Sequence, residues 1–189
     1  MAAAKTDSAL KIVSLTSEHS ITQVFWIVSF AIVTAIAAQI EIPLKPVPLT
    51  LQTMFVLMAG AFLGKRNGFL SMLLYLGFGA VGLPVFAGAA FGFPVLLGPT
   101  GGYLLAFPIA AFVVGYLVSL SRSRFSVLLA MTVGLTIVFV LGTVQLNFVY
   151  FHQWSESLKA GLLAFSVWDI VKLLAASSIY SQFLERTKK

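Results

Sequence analysis

From Ile21 to Ile40 the chain runs through twenty residues without a charge. As a helix this stretch would be about 30 Å long, the thickness of a bilayer's hydrocarbon core. It is too long for the apolar centre of a signal peptide, and further runs of the same kind follow it. Apolar periodicity predicts spans over 49–64, 69–83, 103–120, 125–150 and 158–184, with charge in the gaps between them except for Lys159, Asp169 and Lys172 in the last. The chain is 59% apolar and only 10% charged, against about 25% charged in soluble domains. The reading is therefore an all-α integral membrane protein, a compact bundle of six transmembrane helices over 21–189. Residues 1–20, with Lys5 and Lys11 among scattered apolar positions, are read as a cytoplasmic N-terminal segment forming an interfacial helix.

The net charge of +6 reports orientation rather than an affinity for nucleic acid. Lys5, Lys11, Lys65, Arg66, Arg122, Arg124, Arg186, Lys188 and Lys189 all fall on one side of the predicted bundle. Lys45 and Lys159 fall on the other. The positive-inside rule then puts both termini in the cytoplasm. It gathers the loops at 41–48, 84–102 and 151–157 on the outer face.

Two charges do not obey this segregation. Asp169 and Lys172 lie within the last apolar run, three residues apart and so on one side of a helix. About eleven residues of continuous helix would carry them roughly 16 Å below its start. Each costs about 2.5–3.5 kcal/mol at a bilayer centre, and their attraction at ~4 Å with an effective dielectric near 20 returns about 4 kcal/mol. The pair roughly breaks even, so two readings stand beside each other: an ion pair that fixes helix register, and a ligand or ion site.

The outer loops are unusual. Glu41 to Pro48 holds three prolines in six residues and reads as a stiff connection. Thr50, Gln52 and Thr53 follow in the first turn of the next helix. The segment from Pro84 to Gly102 has no charge and carries Phe86, Phe91 and Phe93 among glycines and prolines. Such a segment should fold over the bundle mouth as a lid. It ends in Thr100-Gly101-Gly102-Tyr103, where exposed backbone N–H groups suit either a carboxylate or an ordinary capped turn. Gln145, Asn147 and Tyr150 are expected to face the same mouth. Ala31-x-x-x-Ala35 is a small-residue stripe suited to close helix contact, internal or with a partner.

Several chemistries are excluded. Gly77-x-Gly79-x-x-Gly82 lies inside a span, with no strand before it and no acid about 20 residues on, so it is helix packing rather than a dinucleotide site. Gly60 to Lys65 is one residue short of a phosphate loop and has Arg66 where a hydroxyl is needed. The histidines, His19 and His152, lie at span ends; there is no catalytic motif and no cysteine, so neither an enzyme, a cofactor nor a metal is expected. A small organic ligand with adjacent donor and acceptor suits Asp169, which accepts, and Lys172, which donates.

Pro46-Val47-Pro48-Leu49-Thr50-Leu51-Gln52-Thr53, Gly79-Ala80-Val81-Gly82-Leu83-Pro84-Val85-Phe86-Ala87-Gly88, Leu97-Gly98-Pro99-Thr100-Gly101-Gly102-Tyr103 and the Asp169-x-x-Lys172 pair together resemble the BioY family, the biotin-binding substrate-capture subunits of energy-coupling factor transporters. The resemblance spans nearly all of 25–185. It implies a multi-pass protein of the bacterial cell membrane that binds biotin and works with a membrane coupling protein and two cytoplasmic ATPases. Its departure is Leu49, where valine or isoleucine is expected. On this resemblance, Lys172 and Asp169 bind the ureido group, with Asn147 and Gln52 as additional partners and Thr50 beside them. Trp168 or Tyr150 packs on the bicyclic ring, and Thr100, Gly101, Gly102 and Tyr103 hold the valerate carboxylate. Ala31 and Ala35 would form the docking stripe for the coupling protein. The alternative is a self-sufficient proton-coupled carrier in which Asp169 cycles a proton against Lys172. A purely structural subunit would bind no small molecule.

Overall fold

A computed structural model describes residues 20–164 and 167–188. The interfacial helix expected over 1–20, with Lys5 and Lys11, lies outside the described residues except for Ser20, which opens the first helix; His19 lies outside them too. Helix α1 covers Ser20–Ala38. Strands β1 (Glu41–Ile42) and β2 (Leu49–Thr50) follow and pair antiparallel, Glu41 opposite Thr50 and Ile42 opposite Leu49. Next come α2 (Gln52–Ala80), the short α3 (Phe93–Leu97), α4 (Gly101–Leu120) and α5 (Arg124–Leu146), which runs on into a wider π-type turn over Asn147–Phe151. Helices α6 (Trp154–Ala164) and α7 (Val167–Lys188) complete the described elements.

Helix α2 is two antiparallel arms. Gly64 has φ 75° and ψ 175°, a conformation that breaks the helix and that only glycine adopts without strain. A Cβ on Gly68 would stand 2.9 Å from the Gly60 Cα, and the Gln52 amide donates to the Tyr75 hydroxyl. In one straight helix these pairs would lie about 12 and about 35 Å apart. Two helices are therefore present as the sequence suggests, with the reversal at Gly64 instead of 65–68. Glycines also set the spacing of the bundle. A Cβ on Gly60 would meet the Ala111 carbonyl oxygen at 2.4 Å, and one on Gly115 the Lys65 nitrogen at 2.4 Å, so the α2 and α4 backbones approach as closely as small residues allow.

The last apolar run is described as two helical stretches, α6 and α7, on either side of residues 165–166, which lie outside the described residues. The two take different partners: α6 lies along α5, where a Cβ on Gly161 would strike the Thr143 side chain, and α7 packs on α2 and α5. Glu156 and Lys159 stand on α6, joined at 3.1 Å across one turn, and not in a connection. Asp169 and Lys172 both stand on α7.

Among the described residues, three helical segments are long and apolar enough to cross a membrane: Ser20–Ala38, Gly101–Leu120 and Arg124–Phe151. The two arms of α2 are each shorter than the ~20 residues a crossing needs, and α7 carries charge at both ends. The outward faces are oily. Phe25, Ile32 and Ile36 of α1, Ile109 and Phe112 of α4, Leu129 and Val140 of α5, and Val171 and Leu174 of α7 are all exposed, as expected where lipid is the solvent. Ala31 and Ala38 are fully buried, Thr34 is buried beside them and Ala35 is half-buried, so the small-residue stripe of α1 is turned into the chain's own core. Of the two residues expected to dock a partner, Ala31 is covered by the chain's own core and Ala35 is half-buried.

Candidate functional site

A cavity of about 220 Å³ lies between the first turn of α2, the lid and helices α4, α5 and α7. Most of its wall is apolar: Val47, Pro48 and Leu49 from the proline-rich connection, Phe86, Ala87, Ala90 and Val95 from the lid, Leu104 and Phe107 from α4, Val138 and Phe139 from α5. Its polar groups are Thr50, Gln52, Thr53, Thr100, Tyr103 and Asp169. A mostly greasy chamber with a few convergent polar groups is the ordinary form of a small-molecule site.

Asp169 and Lys172 form the ion pair read from the sequence. Lys172 Nζ is 2.6 Å from Asp169 Oδ1, and their side chains are 6% and 2% exposed respectively. The ammonium has two more partners, donating to the Thr50 carbonyl oxygen at 2.8 Å and to Thr53 Oγ1 at 2.8 Å. Its three protons are thus all engaged, which is what a buried cation requires. Lys172 does not line the cavity, whereas Asp169 does. The geometry makes the lysine a brace that orders β2 and the start of α2 around the carboxylate. Gln52 is held likewise: its side-chain oxygen accepts from Thr50 Oγ1 at 3.0 Å and its amide donates to the buried Tyr75, whose hydroxyl donates to the Val85 carbonyl at 3.1 Å.

The lid is fastened by side-chain amides. Gln39, just past α1, donates to the Phe86 carbonyl at 3.0 Å and accepts from the Ala89 N–H at 3.0 Å. Gln145 of α5 donates to the carbonyls of Leu96 and Gly98, both at 2.9 Å. The Gly92 N–H donates to the Gly79 carbonyl at 2.7 Å. Gly79 also makes room for Phe86, whose ring would lie 2.0 Å from a Cβ there. The glycine run that imitates a dinucleotide motif is therefore a seat for the lid.

Among the residues singled out from the sequence, Asp169, Gln52, Thr50, Thr100 and Tyr103 are brought together around the cavity. The others are not. Asn147 is buried but accepts from Ser157 Oγ at 3.0 Å, away from the chamber. Gly101 and Gly102 are packing glycines; a Cβ on either would collide with Leu96, Leu141 or Gln145. Trp168 and Tyr150 turn outward, 45% and 53% exposed, because they fall on the far faces of α7 and of the turn after α5. The aromatic walls come instead from Phe86, Phe107 and Phe139. Of the lid phenylalanines only Phe86 is buried, at 1% exposed, while Phe91 and Phe93 each expose 60%. Gln39 and Phe139 had no signal in the sequence beyond their types. The Tyr103 hydroxyl is buried, with the Thr143 side chain as its polar neighbour.

The sequence model described as the BioY family matches residues 8–189. The chain is 44% identical over 147 residues to the probable biotin transporter BioY of Pyrococcus horikoshii, covering 78% of this chain and 86% of that one. It is 42% identical over 150 residues to the biotin transporter BioY of Thermotoga maritima, covering 79% and 88%. Its structure is similar to the crystal structure of the S-component for biotin from an ECF-type ABC transporter, with a TM-score of 0.81, 27% sequence identity and coverage of 90% and 94%.

Proposed function

Because the chain belongs to the BioY family, a family of membrane transporters and not of enzymes, we propose that it is the biotin-capture subunit of an ECF-type uptake system. In this reading it crosses the bacterial cell membrane six times as one domain with both termini in the cytoplasm, the arms of α2 counting as two short crossings. The cavity holds biotin on the outer side under the lid. A membrane coupling protein and two ATPases supply the energy, so the chain needs no nucleotide site of its own.

The observation that carries the reading is Asp169, 2% exposed yet lining a chamber that is otherwise mostly apolar. A carboxylate accepts several hydrogen bonds, and one that lines a cavity can take a donor from a ligand there; a cyclic urea offers N–H groups. One ureido N–H donates to Asp169, which Lys172 aims. The ureido carbonyl accepts from Thr53, whose oxygen already takes a proton from Lys172 and whose own O–H remains to donate. Phe86, Phe107 and Phe139 enclose the bicyclic ring. The valerate carboxylate meets Thr100 and the Tyr103 hydroxyl at the start of α4.

Biotin binding to the purified chain in detergent, followed by tryptophan fluorescence, tests this. Asp169→Asn is expected to weaken binding at least tenfold, about 1.4 kcal/mol. Unchanged affinity would remove the carboxylate from the account.

A further inference from the structure

At the end of the bundle away from the lid, the Gly64 reversal opens into a second cavity of about 400 Å³. Lys65, Arg66 and Arg122 stand at its wall. None of the three pairs with a carboxylate of the described residues, whereas nearby Arg124 is gripped by Glu185 through two hydrogen bonds of 2.6 and 2.7 Å. Lys65 is steadied only by the face of Tyr116, with Nζ 5.5 Å from the ring centre. Asn67, 6% exposed, lines the same cavity and makes no side-chain hydrogen bond among the described residues, so its amide is left to face the cavity. The N-terminal turn of the 65–80 arm opens here too, adding backbone N–H groups and the positive end of a helix dipole.

Three cations, a helix start and an unpartnered buried amide converge where the wall also offers Phe62, Leu63 and Val118. Oxygen atoms of an anion would accept from all of these groups, and the apolar wall suits a chain attached to it. We propose that this cavity is a phosphate site, taking the phosphate of an anionic lipid headgroup or a free phosphate ion. It is independent of the biotin cavity and rests on the membrane placement proposed above only for the lipid source.

Native mass spectrometry of the full chain, titrated separately with dioleoyl phosphatidylglycerol, dioleoylglycerol and inorganic phosphate, tests it. The phosphatidylglycerol adduct is expected to persist at least tenfold above the phosphate-free dioleoylglycerol. It should fall at least fivefold in Asn67→Leu and in the Lys65→Gln/Arg122→Gln pair. Asn67→Asp, equal in size but anionic, should abolish it. Binding of inorganic phosphate that displaces the lipid from the unaltered chain only would support the site with free phosphate as its source. Equal retention of the two lipids with no phosphate binding, or identical behaviour of the variants, would overturn the proposal. Biotin binding by the same preparations reports folding. Its failure in the unaltered chain with lipid selectivity intact would count against the transport reading alone.

Discussion

At the scale of single residues the ion pair behaves as a unit with the start of α2. Removing one member leaves the other charged and buried, a cost of about 3–5 kcal/mol, whereas replacing both with apolar groups is often nearly neutral. Lys172→Met is therefore expected to lower the unfolding temperature in detergent sharply, and Asp169→Leu/Lys172→Met to recover most of the loss while still failing to bind biotin. A double variant as unstable as the single one would mean that Lys172 acts mainly through Thr50 and Thr53. The pairing itself was legible in the sequence, because two charges in an apolar run have no better partner than each other. The other two acceptors of Lys172 were not, since they lie about 120 residues earlier and only the packing of α7 against α2 brings them close. Trp168 and Tyr150 misled for a related reason: composition identifies a ring but not the side of the helix it occupies.

At the scale of elements, the lid is a segment with little internal structure, held from outside by α1, α2 and α5. Gln145→Leu would leave the Leu96 carbonyl without its donor and the Gly98 carbonyl with the Gly101 N–H alone, loosening the lid locally. Biotin should then dissociate at least fivefold faster in stopped-flow measurements, with the unfolding temperature nearly unchanged; an unaltered off-rate would mean that the lid does not retain the ligand. Gly79→Ala forces a methyl into the Phe86 ring, an overpacking cost of about 1–3 kcal/mol. The smaller partner in Gly79→Ala/Phe86→Leu should restore thermal stability, and failure to do so would point to the α2 backbone instead. Proline and charge placement revealed the outer connections and the α2 reversal to within a few residues. The different partners of α6 and α7 were hidden, because apolar periodicity marks a span but not the neighbour it packs on.

For the molecule as a whole, the capture reading and the carrier reading differ in what drives movement. Vesicles containing only this chain should bind biotin and accumulate none, with or without a proton gradient. Accumulation on a gradient alone would establish the carrier. Orientation can be tested directly because the sequence has no cysteine. Single cysteines at Gly88 in the lid and at Ser123 between α4 and α5 should react with a membrane-impermeant maleimide from opposite sides of intact cells. Labelling of both from one side would refute the topology.

Helix α7 has a further consequence for how the protein is made. The carboxylate that completes the chamber arrives only after every other wall has left the ribosome. An interrupted chain that ended before residue 169 would carry the latch, the proline-rich floor and the aromatic lining, yet would have nothing to receive a ureido hydrogen. On the ureido contact proposed for Asp169, competence for the vitamin is thus conferred late in synthesis.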